Sequence, residues 1–232
     1  MKIAAISLNI AWQDIDKNLE RAEEFIIQAK IDGCDVVVFP EVFNTGFIAE
    51  VGKYAESPNS KTYQALQQLA LTHSINIVAG ASEKEANEKA RNIALVFDDD
   101  GNEEAKYSKL QPFNYANEGK YFAPGDKSVT FGLAGVPCSV FICYDLRFPV
   151  FSRNDIDYDI LVYLANWPVK RIDAWDTLLK ARSIENQCYT IGVNRIGKDG
   201  NGISCNGHSS VFDAFGEKVL SSKENLDLIH IS

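Results

Sequence analysis

The sequence predicts an α/β domain with mixed strand pairing. In its first third, strand-like apolar runs alternate with amphipathic helical patterns, the order that builds layers of sheet and helix. A middle region then places strand-like arms around glycine-containing turns, which reads as antiparallel hairpins. Several runs are also apolar throughout, as expected of strands buried on both faces. Parallel-type segments beside hairpins fit a plain doubly wound sheet poorly.

Residues 2–9, KIAAISLN, read as the first strand. They do not read as a secretory leader, because the apolar run is short and amide and acidic residues follow at once. Leu19, Ala22, Phe25, Ile26 and Ala29 recur at spacings of three and four and predict a helix. DVVVFPE (35–41) is a β-branched burst stopped by Pro40. Ser60 is placed to cap a helix carrying Tyr63, Leu66, Leu69 and Ala70. INIVAGA (75–81) is the next strand. NIALVFDDDGNEEAKYSKL has two arms around Asp100-Gly101, and VTFGLAGVPCSVFI repeats the theme. DILVYLAN (159–166) is again fully apolar up to its end, and Asp173, Trp175, Leu178, Leu179 and Arg182 fit a helix. CYTIGVN (188–194), HSSVFDAFG (208–216) and ENLDLIHIS (224–232) are late strands. RIGKDGNGISCNG (195–207), rich in glycine and asparagine, reads as a flexible loop. No linker or repeat interrupts the chain, so one domain is expected over residues 1–232.

Composition narrows the function. At 46% apolar and 24% charged residues over 232 positions, the chain is ordinary for a soluble globular protein. A formal net charge of −9 disfavours nucleic acid and anionic membrane surfaces, which reward positive patches. It leaves room for a local basic pocket that takes a small anion. The five cysteines are odd in number and form no C-x-x-C pair, which points to a reduced, cytoplasmic chain. No run approaches the roughly 18 apolar residues of a membrane span. His73, His208 and His230 are scattered without metal-ligand spacing. No G-x-G-x-x-G or Walker loop occurs, and NGHSSV is not a G-x-S-x-G elbow. Hydrolysis without metal or organic cofactor is therefore the economical expectation.

Chemistry gathers where apolar strands stop. DVVVFPE ends at Glu41, EEAKYSK at Lys109, CSVFIC at Cys143, and LVYLAN at Asn166-Trp167-Pro168. Strand ends are where sheet-based folds present reactive groups. A thiol is a good nucleophile once its proton is removed. A carboxylate can take that proton and return it to a leaving amine, and an ammonium can stabilise the oxyanion between those steps. Blander readings stand beside these. Cys143 also reads as a small core residue, Glu41 as a turn or cap, and Lys109 as a solvated lysine. Cys34, Cys138 and Cys188 look like core, and Cys205 sits in the polar loop.

FPEVFNTGF, YSKLQPF, CYDLRFP and ANWPVKRIDAWDTLLKARSIENQCYTIGVNRIGKDGNG occur in this order. Together they resemble the carbon–nitrogen hydrolase, or nitrilase, superfamily, and within it the bacterial ω-amidases. The likeness runs from Met1 almost to the end. It implies a four-layer α-β-β-α sandwich of two mixed sheets, with subunits that pair as a homodimer or assemble further. It also implies Glu41 as general base, Lys109 as oxyanion-stabilising lysine and Cys143 as nucleophile. The Tyr144 backbone N–H would assist Lys109. Glu118, an ordinary loop carboxylate by itself, matches a second glutamate that positions Lys109 and substrate.

Two positions depart from the family pattern. Gln111-Pro112 replaces a usual His-Leu after the catalytic lysine, and Val150 stands where glutamate usually follows CYDLRFP. Either Arg147 then lacks a partner, or Asp145 serves instead. The sequence also ends with LDLIHIS, where the family usually continues into a segment that often contacts the partner subunit. The resemblance implies a small amide substrate, 2-oxoglutaramate or 2-oxosuccinamate, whose carboxylate calls for Arg147 or Arg171. Trp167, Tyr115 and Phe43 are expected to line the pocket. The alternatives are an N-carbamoyl or simple aliphatic amide hydrolase, and a non-catalytic binding protein that keeps the fold.

Overall fold

Alternation along the first strands sorts side chains into two cores. In β1 (Ile3–Ile6), Ile3 and Ala5 enter one core while Ala4 and Ile6 enter the other. In β2 (Val36–Val38), Val36 and Val38 go with the first and Val37 with the second. This is the period-two signature of a sheet covered on both faces. The computed structural model describes residues 1–48, 54–84, 89–155, 157–221 and 228–231.

The outer core lies under two helices. In α1 (Ile15–Ile31), Leu19, Ala22, Ile26 and Ala29 form the buried stripe. Asp14 caps the helix by accepting from the Lys17 N–H at 3.1 Å. In α2 (Lys61–His73), Leu66 and Ala70 are buried. Cutting Leu66 back to alanine removes about 2–5 kcal/mol. Ser60 does stand at the N-cap of α2, but its side chain makes no capping bond, so the expected cap is present in backbone only.

The first sheet continues with β3 (Asn76–Lys84), β4 (Ala90–Phe97) and β5 (Glu103–Ser108). The β4–β5 hairpin turns at Asp98–Asn102, where Asp98 accepts from the Asp100 and Asn102 N–H groups. A short α3 (Glu118–Tyr121) follows. The second sheet starts with β6 (Thr130–Leu133), β7 (Val136–Ile142) and β8 (Ile160–Ala165). Then come α4 (Ile172–Asn186) and β9 (Tyr189–Asn194).

The stretch expected as a loop at 195–207 is instead an antiparallel ribbon of β10 (Ile196–Lys198) and β11 (Ser204–Asn206). Its turn is pinned by Asp199, which accepts from the Asn201 and Ile203 N–H groups. Three-residue strands carry no readable periodicity, and the glycines dominate the sequence signal. The chain ends with β12 (Ser210–Phe212), β13 (Lys218–Ser221) and β14 (Leu228–Ile231). Of the last expected strand, residues 224–227 and 232 lie outside the described residues.

The sheets have the orders β14-β1-β2-β3-β4-β5 and β13-β12-β9-β8-β7-β6. Both are mixed, as expected: β1, β2 and β3 run parallel, as do β7, β8 and β9, while the flanking pairs are antiparallel. Val78, Val96 and Tyr107 of the first sheet meet Val140, Phe141 and Val162 of the second in one core, which Trp175 and Leu179 of α4 also join. The result is a four-layer α-β-β-α sandwich. Among the described residues, no helix is long and apolar enough to cross a membrane.

Candidate active site

Glu41 is set by a close backbone approach. The chain leaves β2 and runs beside β3, with the Phe39 N–H on the Val78 carbonyl and the Phe43 N–H on the Gly80 carbonyl. A Cβ on Gly80 would come within 2.6 Å of the Glu41 Cα and 2.7 Å of the Pro40 carbonyl oxygen. Only glycine admits that approach. The Glu41 carboxylate is 1% exposed. Its Oε2 accepts from the Asn166 N–H at 2.9 Å, and the Asn166 side chain donates to the Glu41 carbonyl at 2.6 Å.

Lys109 follows β5, and Glu118 opens α3. Lys109 Nζ donates to Glu41 Oε1 at 2.8 Å and to both oxygens of Glu118 at 3.1 and 3.0 Å. Asn92, from the middle of β4, donates to Glu41 Oε1 at 2.8 Å and to Glu118 Oε1 at 3.0 Å. Two donors thus join two carboxylates in a closed quadrilateral. Lys109 and Glu118 are 3% and 0% exposed, so this network is dry. Breaking up such a buried set of charges is costly, because what is left behind has no solvent to turn to.

Burial opposes ionisation of Glu41, but the Lys109 charge and the bonds from Lys109, Asn92 and Asn166 outweigh it and hold the carboxyl below its usual range. Burial likewise works against the Lys109 ammonium. The charges of Glu118 and Glu41 reverse that and keep it well above the usual lysine range.

Cys143 comes straight off β7 into a 3-10 turn over Cys143–Arg147. Its φ is +47°, a conformation that non-glycine residues rarely hold. The turn is tied down by Asp145, which accepts from the Tyr107 hydroxyl at 2.7 Å, the Gln111 N–H at 2.7 Å and the Ile142 N–H at 3.1 Å. Asp145 is therefore not the partner of Arg147, which rules out the second of the two readings. Gln111, at the departure from the family pattern, bonds to Asp145 through its backbone N–H. Burial pushes the Cys143 thiol well up, the Glu41 charge pushes it further, and Lys109 opposes them.

Glu41, Lys109 and Cys143 line one cavity of about 240 Å³, walled also by Phe47, Asn166 and Arg195. A second, more open cleft shares Cys143 and Phe113 and is lined by Tyr115, Tyr144, Arg147, Trp167 and Arg171. There Arg147 stacks on Trp167 with its guanidinium 5.1 Å from the ring centre, and Arg171 on Phe113 at 5.0 Å. The expected binding residues thus divide. Trp167, Tyr115, Arg147 and Arg171 face the outer cleft, while Phe43 reaches neither. Phe43 is fully buried and stacked on Phe39 at 5.2 Å; Phe47, four residues on, forms the wall instead. Asn166 was marked only as a strand end, and Asn92 and Arg195 were not anticipated as site residues. Among the described residues, no three His, Cys, Asp or Glu side chains are grouped to hold a metal ion.

The model of the family described as carbon–nitrogen hydrolase matches residues 2–229. The omega-amidase YafV of Yersinia enterocolitica is 35% identical over 217 residues, covering 94% of this chain and 83% of that protein. The 2-oxoglutaramate amidase of Bacillus subtilis is 32% identical, covering 94% and 85%. XC1258 from Xanthomonas campestris, a CN-hydrolase superfamily protein solved with an arsenic adduct in its active site, superposes with a TM-score of 0.94. It is 30% identical, and the match covers 100% of this chain and 89% of that one.

Proposed function

We propose that this chain, which belongs to the carbon–nitrogen hydrolase family, releases ammonia from a small ω-amide of a 2-oxo acid by way of a cysteine thioester. As a member of that family, with amidases among its relatives, it is an amidase-type enzyme. The observation that carries the mechanism is the cavity shared by the Glu41 carboxylate, the Lys109 ammonium and the Cys143 thiol. Relatives named as an omega-amidase and a 2-oxoglutaramate amidase support the substrate class.

In this reading Glu41 takes the thiol proton as Sγ of Cys143 attacks the amide carbon. Keeping the thiol protonated until that moment avoids a third negative charge beside Glu41 and Glu118. The carbonyl oxygen becomes an oxyanion held by Lys109 and the Tyr144 N–H. Glu41 then returns the proton to nitrogen, the C–N bond breaks, and ammonia leaves a thioester behind. Water attacks next, again giving its proton to Glu41, and the Cys143 thiol and the acid product are restored. Glu118 and Asn92 position Lys109 and Glu41. Arg147 and Arg171, at the outer cleft, draw an anionic substrate inward.

A substrate panel tests this: 2-oxoglutaramate, 2-oxosuccinamate, glutamine, asparagine, a neutral aliphatic amide, an N-carbamoyl amino acid and a nitrile, compared by kcat/KM. The 2-oxo amides are expected to lead. If the neutral amide matches them, the ω-amidase reading fails and the amidase reading survives. We also infer a homodimer or larger assembly and a cytoplasmic location, the latter supported by five cysteines that are all unpaired. Light scattering that gives only the 25.8 kDa of one chain counts against the assembly.

A further inference from the structure

The parallel strands β7, β8 and β9 are neighbours, with Ile142 opposite Leu164 and Ala165 opposite Asn194. The residues that follow them, Cys143, Asn166 and Arg195, therefore emerge side by side at one end of the sheet. All three line the inner cavity. Two strand spacings separate Cys143 from Arg195, roughly 10 Å between their backbones. The cysteine side chain, a guanidinium arm and a chain of four or five carbons together bridge that gap.

Arg195 is 1% exposed. Its backbone N–H is bonded to the Ala165 carbonyl at 3.1 Å, and its Nε donates to the Ile196 carbonyl at 3.1 Å. Its two terminal nitrogens, Nη1 and Nη2, have no hydrogen-bond partner among the described residues. A buried guanidinium with two free donors is costly unless an acceptor meets it. Asp199 lines the same wall, but its Oδ1 is turned into its own turn, accepting from the Asn201 N–H at 2.9 Å and the Ile203 N–H at 2.8 Å. Arg147 and Arg171 differ from Arg195, since each lies against an aromatic ring in the outer cleft.

The electrostatics point the same way. Around Lys109 the inner cavity holds two carboxylates against one ammonium. An anionic substrate entering so dry a space needs a cation of its own.

We propose that Arg195 seats the carboxylate of the substrate, its Nη1 and Nη2 donating as a pair, while Cys143 attacks the amide at the other end of the molecule. The fork of a guanidinium matches a carboxylate with two parallel bonds. The spacing then selects chain length, because the amide carbon must reach Sγ when the carboxylate is seated. This rests on the ω-amidase reading and assigns its specificity to a residue of the β9–β10 junction.

The test compares wild type, Arg195→Met and Arg195→Lys on 2-oxoglutaramate and on a neutral aliphatic amide, with circular dichroism to check folding. Arg195→Met is expected to lose at least about 30-fold in kcat/KM on 2-oxoglutaramate, mainly through KM. Its loss on the neutral amide should be far smaller. Arg195→Lys keeps the charge without the fork and should fall between. Should Arg195→Met not fold, Arg195→Lys carries the test, with an expected loss of preference of about tenfold. Equal losses on both substrates in a folded variant, or a preference that survives substitution, overturn the inference. Wild type without any preference overturns the ω-amidase reading and this assignment with it, so the two failures are distinguishable.

Discussion

The two sheets contribute different residues to the candidate site. The first supplies Glu41 after β2, Asn92 within β4 and Lys109 after β5. Lys109 is bonded to Glu41 and Glu118, and Asn92 donates to the same two carboxylates. The second supplies Cys143, Asn166 and Arg195 from the ends of three adjacent parallel strands, with a strained cysteine and a guanidinium whose terminal donors are unmet among the described residues. In the proposed mechanism one sheet holds and moves a proton, while the other makes the bond and meets the substrate. A set of buried charges works as proton machinery only when it is closed and dry, whereas a substrate wall must leave donors open. The difference predicts that damage to the first sheet slows every amide alike, while damage to the second also changes which amide is preferred.

Cys143→Ala should break the account most severely. Ammonia release should fall to background while the fold is retained, as read by circular dichroism; full activity would sink the assignment of the nucleophile. A chelator such as EDTA should leave the wild-type rate unchanged. Glu41→Gln keeps the shape and removes the base, so a loss of about 10²–10⁴-fold in kcat is expected. Lys109→Ala removes the proposed oxyanion donor and should cost roughly 3–4 kcal/mol in the transition state. It also leaves Glu41 and Glu118 facing each other without a cation, so the melting temperature should fall too. For both variants the rank order of substrates should not change, and a reordering would erase the proposed division between the sheets.

Asn92→Ala is expected to be milder. It removes one donor from each of two carboxylates, worth about 1–3 kcal/mol in all, and should lower kcat on every substrate together. Unchanged kcat with unchanged stability would show the quadrilateral to be ornamental.

The smallest expected effect separates two buried carboxyls by sign. Burial raises the Asp145 carboxyl to about 6, against the opposing pull of Lys109 and its hydrogen bonds. The folded state therefore holds that proton more tightly than the unfolded chain. Its stabilising contribution is complete below the ordinary aspartate range and is lost as pH rises through about 6. Glu41, held low, behaves oppositely: its contribution is present above the ordinary glutamate range and is lost only as pH falls through its depressed value. Between about pH 7 and about pH 5 the Asp145 contribution should grow while that of Glu41 holds. Melting curves of wild type against Asp145→Asn across this window should show the extra gain on acidification only in the wild type.

Much of this architecture was legible. The apolar runs mark most strands, and their ends mark Glu41, Lys109, Cys143 and Asn166. Which strands share a sheet was not legible from periodicity, and the two-sheet order came from family resemblance. Glu118 carried no signal of its own, because a glutamate in NYANEGKYF looks like any loop carboxylate. Asn92 was hidden for the opposite reason, as a lone polar residue in a strand that otherwise reads as core. Arg195 was masked by the glycine-rich stretch that follows it, which turned out to be a pinned ribbon. Phe47 rather than Phe43 lines the cavity, and the chain between them turns after Pro40, where Val42 has a φ of +40°, a path that residue types alone do not encode.

The central claim is a covalent bond from Cys143 to the acyl part of the substrate. Wild-type protein mixed with 2-oxoglutaramate, quenched in acid within milliseconds and digested, should yield a Cys143 peptide heavier by the substrate less ammonia. Cys34, Cys138, Cys188 and Cys205 should be unmodified, with fragment ions separating Cys143 from Cys138. Acyl mass on any other residue, or ammonia released at the wild-type rate by Cys143→Ala, would contradict the account.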